Sequence, residues 1–299
     1  ALIKRQLEAA VVNRLSSPGA VFGDKLGEVL TMGHYTSRPL TVERINALDR
    51  AAMVSFYRER FASAADFRFF MVGAFKVDEA LPMITRYVAS LPSAKTPASR
   101  FKDVGITFPP AVVRVRVEKG KEPKSQAVIS YFAAPPIEDT DHTRVEAVTQ
   151  LLQIARRDIL REELGETYSV SVGLSQLTPQ RGGGHIDISF SASPDNVDKM
   201  IARVQQEVAR LQTTAPTEDL TTRAKETARR AYETSVKQNG FWLGRLQSAK
   251  LLERDPLLIL SRLQRIDAVT PAALHETFKK YFPADRHTIV TLVPEKPGL

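Results

Sequence analysis

The chain has 299 residues, of which 43% are apolar and 25% charged, so it is long enough for two domains that each bury a core. Its net charge is +8, but the basic residues are spread among acidic ones, and the densest basic stretch, 114–124, has no aromatic residue to stack on bases, so we expect no nucleic-acid partner. The sequence has no cysteine, which excludes disulfides, thiolate metal sites and a cysteine nucleophile, and it contains no apolar run of membrane-spanning length.

Hydrophobic periodicity in the first part of the chain predicts mainly helices. The predicted elements are helices 2–15, 20–30 and 42–60, strand 67–72 and helix 77–91. Thr41 is expected to cap the third of these helices with its side-chain oxygen. Residues 92–111 then contain four prolines and Gly105, a composition typical of a stiff linker. We therefore predict a first domain at 1–92, a linker at 93–111 and a second domain at 112–299.

The second domain begins with strands and continues with helices. The predicted elements are strands 112–118 and 125–133, helix 141–164, strands 168–174 and 185–191, helices 194–212, 217–238, 241–253, 256–264 and 271–281, and a closing strand. Helix 194–212 is expected to start at Ser193, whose hydroxyl would cap it. This order predicts an α+β fold, in which helices pack on one face of an antiparallel or mixed sheet.

Two segments of the chain are related by an internal repeat. Residues 45–73 align without a gap on 266–294 at a constant offset of 221, with six identities and the same predicted helix, turn and strand. At this offset Ala1 falls opposite Thr222, which lies inside a predicted helix of the second domain. We therefore expect the first domain to be only the second part of a repeat whose complete copy is 112–299.

Arg161 and Tyr168 are the candidate functional residues. Arg161 lies in the last turn of helix 141–164, and Tyr168 begins the next strand seven residues later. An arginine offers several donors to peptide carbonyls or carboxylates, and a tyrosine hydroxyl can steady a developing oxyanion. From the residues alone, structural roles are the commoner ones for a lone arginine and tyrosine: Arg161 could stabilise the helix dipole and Tyr168 could be a packed strand residue.

The remaining motifs give no evidence of a catalytic or binding site. The glycine run 182–184 lies between two strands and lacks a following Lys and Ser/Thr, so we interpret it as a hairpin turn. The sequence contains neither HxxEH nor HxxH. Its five histidines are predicted to be isolated surface or turn residues, and no metal ligand is predicted in this chain. They are His34, His142, His185, His275 and His287.

The arginine and tyrosine, with REELG between them, resemble the non-catalytic half of an M16 (pitrilysin/insulinase-type) zinc metallopeptidase, and most of all its bacterial PqqL-like members. Further similar segments are AVFGDKL (20–26), RPLTVERINALD (38–49), FYRERFA (56–62), VGAF (72–75), KGKEPKSQ (119–126) and NGFWL (239–243). The resemblance implies M16-type α+β repeats and a protein whose other half binds Zn²⁺ through HxxEH.

The resemblance also implies a role for this chain. Arg161 and Tyr168 would contact peptide substrates and the oxyanion, and this segment alone would be inactive. Its partners would be a catalytic N-terminal half, on the same polypeptide or in another subunit, and peptides or unfolded segments. Periplasm or cell envelope is the compartment that the family favours. The alternative function is a non-catalytic scaffold or peptide-binding module of the same fold.

Overall fold

The computed structural model of the protein describes residues 2–94, 102–133, 139–163, 170–176 and 184–296. The helices of the first part are α1 (Leu2–Arg14), α2 (Pro18–Leu30), α3 (Val42–Asn46), α4 (Arg50–Phe61) and α5 (Val77–Tyr87), with a 3-10 turn at Tyr35–Ser37. The strands are β1 (Val113–Glu118), β2 (Ser125–Ala133), β3 (Val170–Gln176), β4 (Gly184–Ala192) and β5 (His287–Val293). The helices of the second part are α6 (Asp139–Glu163), α7 (Val197–Thr213), α8 (Glu218–Ser235), α9 (Asn239–Leu251), α10 (Arg262–Asp267) and α11 (Pro271–Tyr281), with a 3-10 helix at Pro256–Ile259.

The five strands form one mixed sheet in the order β1-β5-β2-β4-β3. The closing strand β5 lies inside the sheet, parallel to β1 and antiparallel to β2, and all seven of its residues are buried. The other neighbouring pairs, β2–β4 and β4–β3, are antiparallel. A strand that is buried on both faces is expected to be rich in apolar residues. Four of the seven residues in HTIVTLV are apolar, and the other three are the buried His287, Thr288 and Thr291.

The main core lies between the sheet and a layer of helices. In β2, Ala127, Ile129 and Tyr131 point into this core because alternate strand residues face the same side, and α6, α7 and α11 supply the opposing surface. The predicted α+β fold, with helices on one face of a mixed sheet, is therefore confirmed. The opposite face is not bare, because Phe22 of α2 packs there against Val128 and its neighbours on β1 and β5.

The internal repeat is visible in the helices. At the offset of 221, α3 corresponds to α10, and α4 corresponds to α11. Asp49 caps α4 and its counterpart Thr270 caps α11, each through a side-chain oxygen that accepts a backbone N–H. The prediction of one helix over 42–60 was wrong, because the chain breaks between α3 and α4 and Thr41 caps only the short α3.

The predicted strand at 67–72 is also wrong, since these residues form no strand. Their counterpart β5 is held by a strand on each side, whereas no strand of the described residues lies beside 67–72. A strand is stabilised by hydrogen bonds to its neighbours, so the same sequence pattern stays irregular here.

The two copies of the repeat differ sharply in burial. Tyr57 and Phe61 of α4 have 61% and 56% of their surface exposed, whereas their counterparts Phe278 and Phe282 are fully buried. The same contrast holds for three further pairs, in which the first residue is at least 45% exposed and the second at most 5%: Met53 and Leu274, Phe69 and Val290, and Met71 and Leu292. The first part of the chain thus carries a core-type apolar face that the described residues do not cover.

Three helix boundaries in the second part differ from the predictions. Helix α7 begins at Val197 rather than at residue 194, because the N–H groups of Asn196 and Val197 both donate to the carbonyl of Ser193 and form a turn first. The predicted helix 256–264 is divided between the 3-10 helix and α10, and residues 239–240 begin α9 rather than interrupting the chain.

Gly120, in the turn between β1 and β2, fits closely against the start of α2. Its φ is +88°, and a Cβ added there would lie 2.6 Å from Cγ of Pro18. Both the backbone conformation and the contact therefore favour glycine.

We predict that Gly120→Ala destabilises the protein more than Gly33→Ala. Gly33 has a φ of +71° but nothing within 4 Å of an added Cβ, so its substitution measures the conformational cost alone, about 1–2 kcal/mol. Gly120→Ala should add about 1–3 kcal/mol for the overpacked contact with Pro18. Urea unfolding of both variants measures the difference in their free energies of unfolding. Equal losses of stability would contradict a tight contact between Gly120 and the start of α2.

Candidate functional site

Helix α6 positions the candidate site. It follows β2 in the chain. Val145, Val148 and Leu151 repeat on one face of the helix, and this face is completely buried in the core. Its end leads within a few residues to β3, the edge strand of the sheet, and α6 also packs beside that strand. The strand beside α6 is therefore the one at the margin of the sheet.

Of the two predicted site residues, the structure describes only the backbone of Arg161. Arg161 lies in the last turn of α6, where the backbone is helical as predicted, but its side chain is outside what the structure describes. Tyr168 lies outside the described residues, two positions before β3 begins at Val170. The meeting of the two side chains remains a prediction.

The first turn of α6 is fixed by a buried carboxylate that sequence reasoning missed. Oδ2 of Asp141 accepts hydrogen bonds from the hydroxyl of Tyr281 at 2.7 Å and from Nζ of Lys280 at 2.8 Å, and Arg144 donates to Oδ1 at 3.2 Å. Burial by itself raises the pKa of Asp141, but the hydrogen bonds from Lys280 and Tyr281 and the charges of Lys280 and Arg144 outweigh it and lower the pKa. This network ties α6 to the end of α11.

A second carboxylate, Glu146, whose side chain is 25% exposed, ties α6 to α9 and α10. Oε2 of Glu146 lies 2.6 Å from Nη2 of Arg262, and Oε1 lies 3.5 Å from both Nη2 of Arg245 and Nδ1 of His142. Burial opposes ionisation of Glu146, but Arg262 and its other neighbours lower the pKa below the ordinary value. For His142, burial comes first and the nearby Arg254, Arg245 and Arg262 add to it, so its pKa falls to about 4.

The prediction that all five histidines are surface or turn residues was wrong for three of them. His287 is buried in β5, and the side chains of His142 in α6 and His185 in β4 are only 19% and 13% exposed. Tertiary packing, rather than the local sequence, puts them inside. Residues 2–94, 102–133, 139–163, 170–176 and 184–296 contain no group of three His, Cys, Asp or Glu side chains placed to hold a metal.

A serine, an aspartate and a histidine do meet on the sheet face opposite the main core. The hydroxyl of Ser130 donates to Oδ1 of Asp187 at 2.5 Å, and Nε2 of His185 lies 3.2 Å from Oδ2. A nucleophilic serine needs a histidine next to its hydroxyl, with the carboxylate behind the histidine. Here the carboxylate lies in the middle and Ser130 is fully buried, so the group joins β2 to β4 and has no catalytic geometry.

Comparison with solved structures identifies the fold of this protein. The structure superimposes on the peptidase M16 inactive domain from Pseudomonas fluorescens with a TM-score of 0.79, at 20% identity, over 99% of this chain and 71% of the other. It also superimposes on the periplasmic protease PqqL from Escherichia coli with a TM-score of 0.78, at 20% identity, over 98% of this chain and 32% of that protein. The fold is that of an M16 peptidase domain.

The sequence identifies the family. Residues 47–228 match the peptidase M16 inactive domain, and the chain belongs to that family. A zinc protease PQQL-like protein from Arabidopsis thaliana is 24% identical over 328 aligned positions, which cover 99% of this chain and 33% of the relative. The chain thus spans about a third of the length of this curated relative. No helix in the described ranges has the length and apolarity needed to cross a membrane.

We predict that Asp141→Asn removes a part of the stability that depends on pH. A carboxylate whose folded pKa is lowered stabilises the fold above its unfolded pKa of about 3.9 and loses that contribution as the pH falls through the folded pKa. The difference between the parent protein and Asp141→Asn should therefore be largest at neutral pH, about 1–3 kcal/mol, and shrink below pH of about 4.

The control for this prediction is Asp195→Asn, which removes an exposed carboxylate in the turn before α7. Unfolding in urea at several pH values should show a small and nearly constant effect for this control. A difference at Asp141 that does not change between pH 7 and strongly acidic conditions would contradict the account of its network.

Proposed function

We propose that this chain is the substrate-holding, non-catalytic part of a zinc-dependent endopeptidase that cleaves peptides or unfolded segments. Membership of the peptidase M16 inactive-domain family carries this proposal. The similarity to zinc proteases along the whole chain supports it. The catalytic half, on the same polypeptide or in a partner subunit, would supply the metal and face this domain. The periplasm or cell envelope is the proposed compartment.

In this proposal Arg161 and Tyr168 act on the substrate. The guanidinium of Arg161 would donate hydrogen bonds to a carbonyl or carboxylate of the bound peptide, and the hydroxyl of Tyr168 would donate to the oxygen that becomes negative during attack on the scissile carbonyl. The networks of Asp141 and Glu146 hold α6 at its first turns, so they fix the direction of the helix that ends at Arg161. The zinc ion, held by the catalytic half, would activate the attacking water.

We also propose that residues 1–92 are the second part of an M16 repeat whose first part lies elsewhere in the complete protein. The exposure of Tyr57 and Phe61, whose counterparts Phe278 and Phe282 are core residues, supports this assignment. In the complete copy, α11 is covered by α6 and α7, and β5 by β1 and β2. Equivalent elements would cover α4 and pair with residues 67–72.

Hydrogen exchange tests this arrangement. In the complete protein the amides of 50–72 should exchange more slowly than in the 299-residue chain alone, because they would gain a covering layer and strand partners. The amides of 271–293, which already have both, serve as the internal control and should exchange equally in the two samples. Equal exchange at 50–72 would refute the assignment of an incomplete repeat.

Substitution tests the two site residues. In the complete protein, Arg161→Ala and Tyr168→Phe should each reduce kcat for peptide cleavage, Tyr168→Phe by about 10²-fold or more, as for loss of one oxyanion donor. Thermal stability should change little. The matched controls are Arg230→Ala on α8, whose side chain is 80% exposed, and Tyr87→Phe on α5, whose tyrosine is exposed.

The two readouts separate a role in catalysis from a structural one. A loss of kcat with unchanged stability supports the proposed contacts. Full activity in both site variants would contradict the role given to Arg161 and Tyr168, and a loss of activity that merely follows a loss of stability would assign them to packing.

A further inference from the structure

A small cavity on the helical side of the domain is lined by four arginines from three separate elements. It lies between α6, α9, the 3-10 helix and α10, and has a volume of about 60 Å³. Arg245 projects from α9, Arg254 from the segment after it, and Arg262 and Arg265 from α10. The residues of α6 that line it, His142 and Thr143, lie in the first part of the helix, whereas Arg161 lies in its last turn.

The charges around the cavity are predominantly positive. The lining carboxylate is Asp255, whose Oδ1 accepts the N–H of Leu257 at 2.9 Å and so caps the 3-10 helix. Glu146 lies behind Arg262 and beside Arg245. His142 is neutral at pH 7, because its pKa is about 4, and adds no charge of its own. Of the side chains that line the cavity, four are guanidinium groups and one is a carboxylate.

The lining also has the chemistry and the size for a small anion. Guanidinium groups present paired N–H donors that match the oxygens of a carboxylate or phosphate. Thr143 and Ser248, two residues with hydroxyl groups, also line the cavity. The volume is of the order of a few water molecules, which suits one oxyanion group and excludes a nucleotide.

We propose that this cavity binds a small oxyanion, either a carboxylate or a phosphate group. The bound group would bridge α9 and α10 by accepting hydrogen bonds from arginines of both, and it would reduce the repulsion among them. Because both elements also hold Glu146 of α6, binding would stiffen the same helical layer that carries α6.

Calorimetric titration tests the proposal. The intact protein would be titrated with inorganic phosphate and, separately, with acetate, each against chloride at the same ionic strength. Arg245→Gln and Arg254→Gln should weaken the binding of the preferred anion by about tenfold or more, the effect of losing one charge-assisted hydrogen bond. Arg230→Gln removes the same charge from an exposed position on α8 and should leave the affinity unchanged.

The two anions distinguish the sources of the ligand group. Binding of phosphate alone assigns a phosphate site, and binding of acetate alone assigns a carboxylate site. Absence of binding by both anions would overturn the proposal, as would Arg245→Gln and Arg230→Gln variants with equal affinities. If the pocket variants do not fold, hydrogen exchange of the unmodified protein decides: the preferred anion should slow exchange over 245–265, and no slowing refutes the site.

Discussion

The insertion of β5 between β1 and β2 is the constraint on which the rest of the domain depends. This strand comes last in the chain, yet all its residues are buried and it pairs on both sides. Val113 of β1 pairs with Thr288, so the sheet is closed by contacts between distant parts of the sequence. The helices α6, α7 and α11 then pack on the completed sheet. Helix α6 packs against α11, the helix that leads into β5, so the placement of α6 is linked to this long-range pairing.

The same constraint accounts for the first part of the chain. Residues 67–72 carry the pattern of β5 and follow a helix that corresponds to α11, but no described strand accompanies them. Without a sheet beneath it, the apolar face of α4 stays exposed although its residues are of core type. One sequence pattern thus gives two outcomes in one molecule, and the difference lies in the neighbours rather than in the local sequence.

Much of the second part of the chain could be predicted from the sequence. The period of apolar residues located α6, α11 and β2 to within about two residues, and their order gave the fold class. The same reasoning failed where distant residues decide. The break between α3 and α4, the irregular 67–72 and the burial of His142 all depend on packing. The same division, between what the sequence could indicate and what depends on distant contacts, applies to the candidate site. Arg161 and Tyr168 came from a family resemblance, whereas the bond between Asp141 and Tyr281 joins residues 140 positions apart and leaves no local signal.

The central claim is that this domain holds the substrate for a zinc-bearing half. The most direct measurement is cleavage of a quenched fluorescent peptide library by this chain alone, by the other half with Zn²⁺, and by the two mixed. The account predicts cleavage only on mixing, and its loss when a chelator removes the metal. Cleavage by the other half at the same rate with and without this chain would contradict the claim, and peptide binding without cleavage in any mixture would favour a scaffold or peptide-binding module.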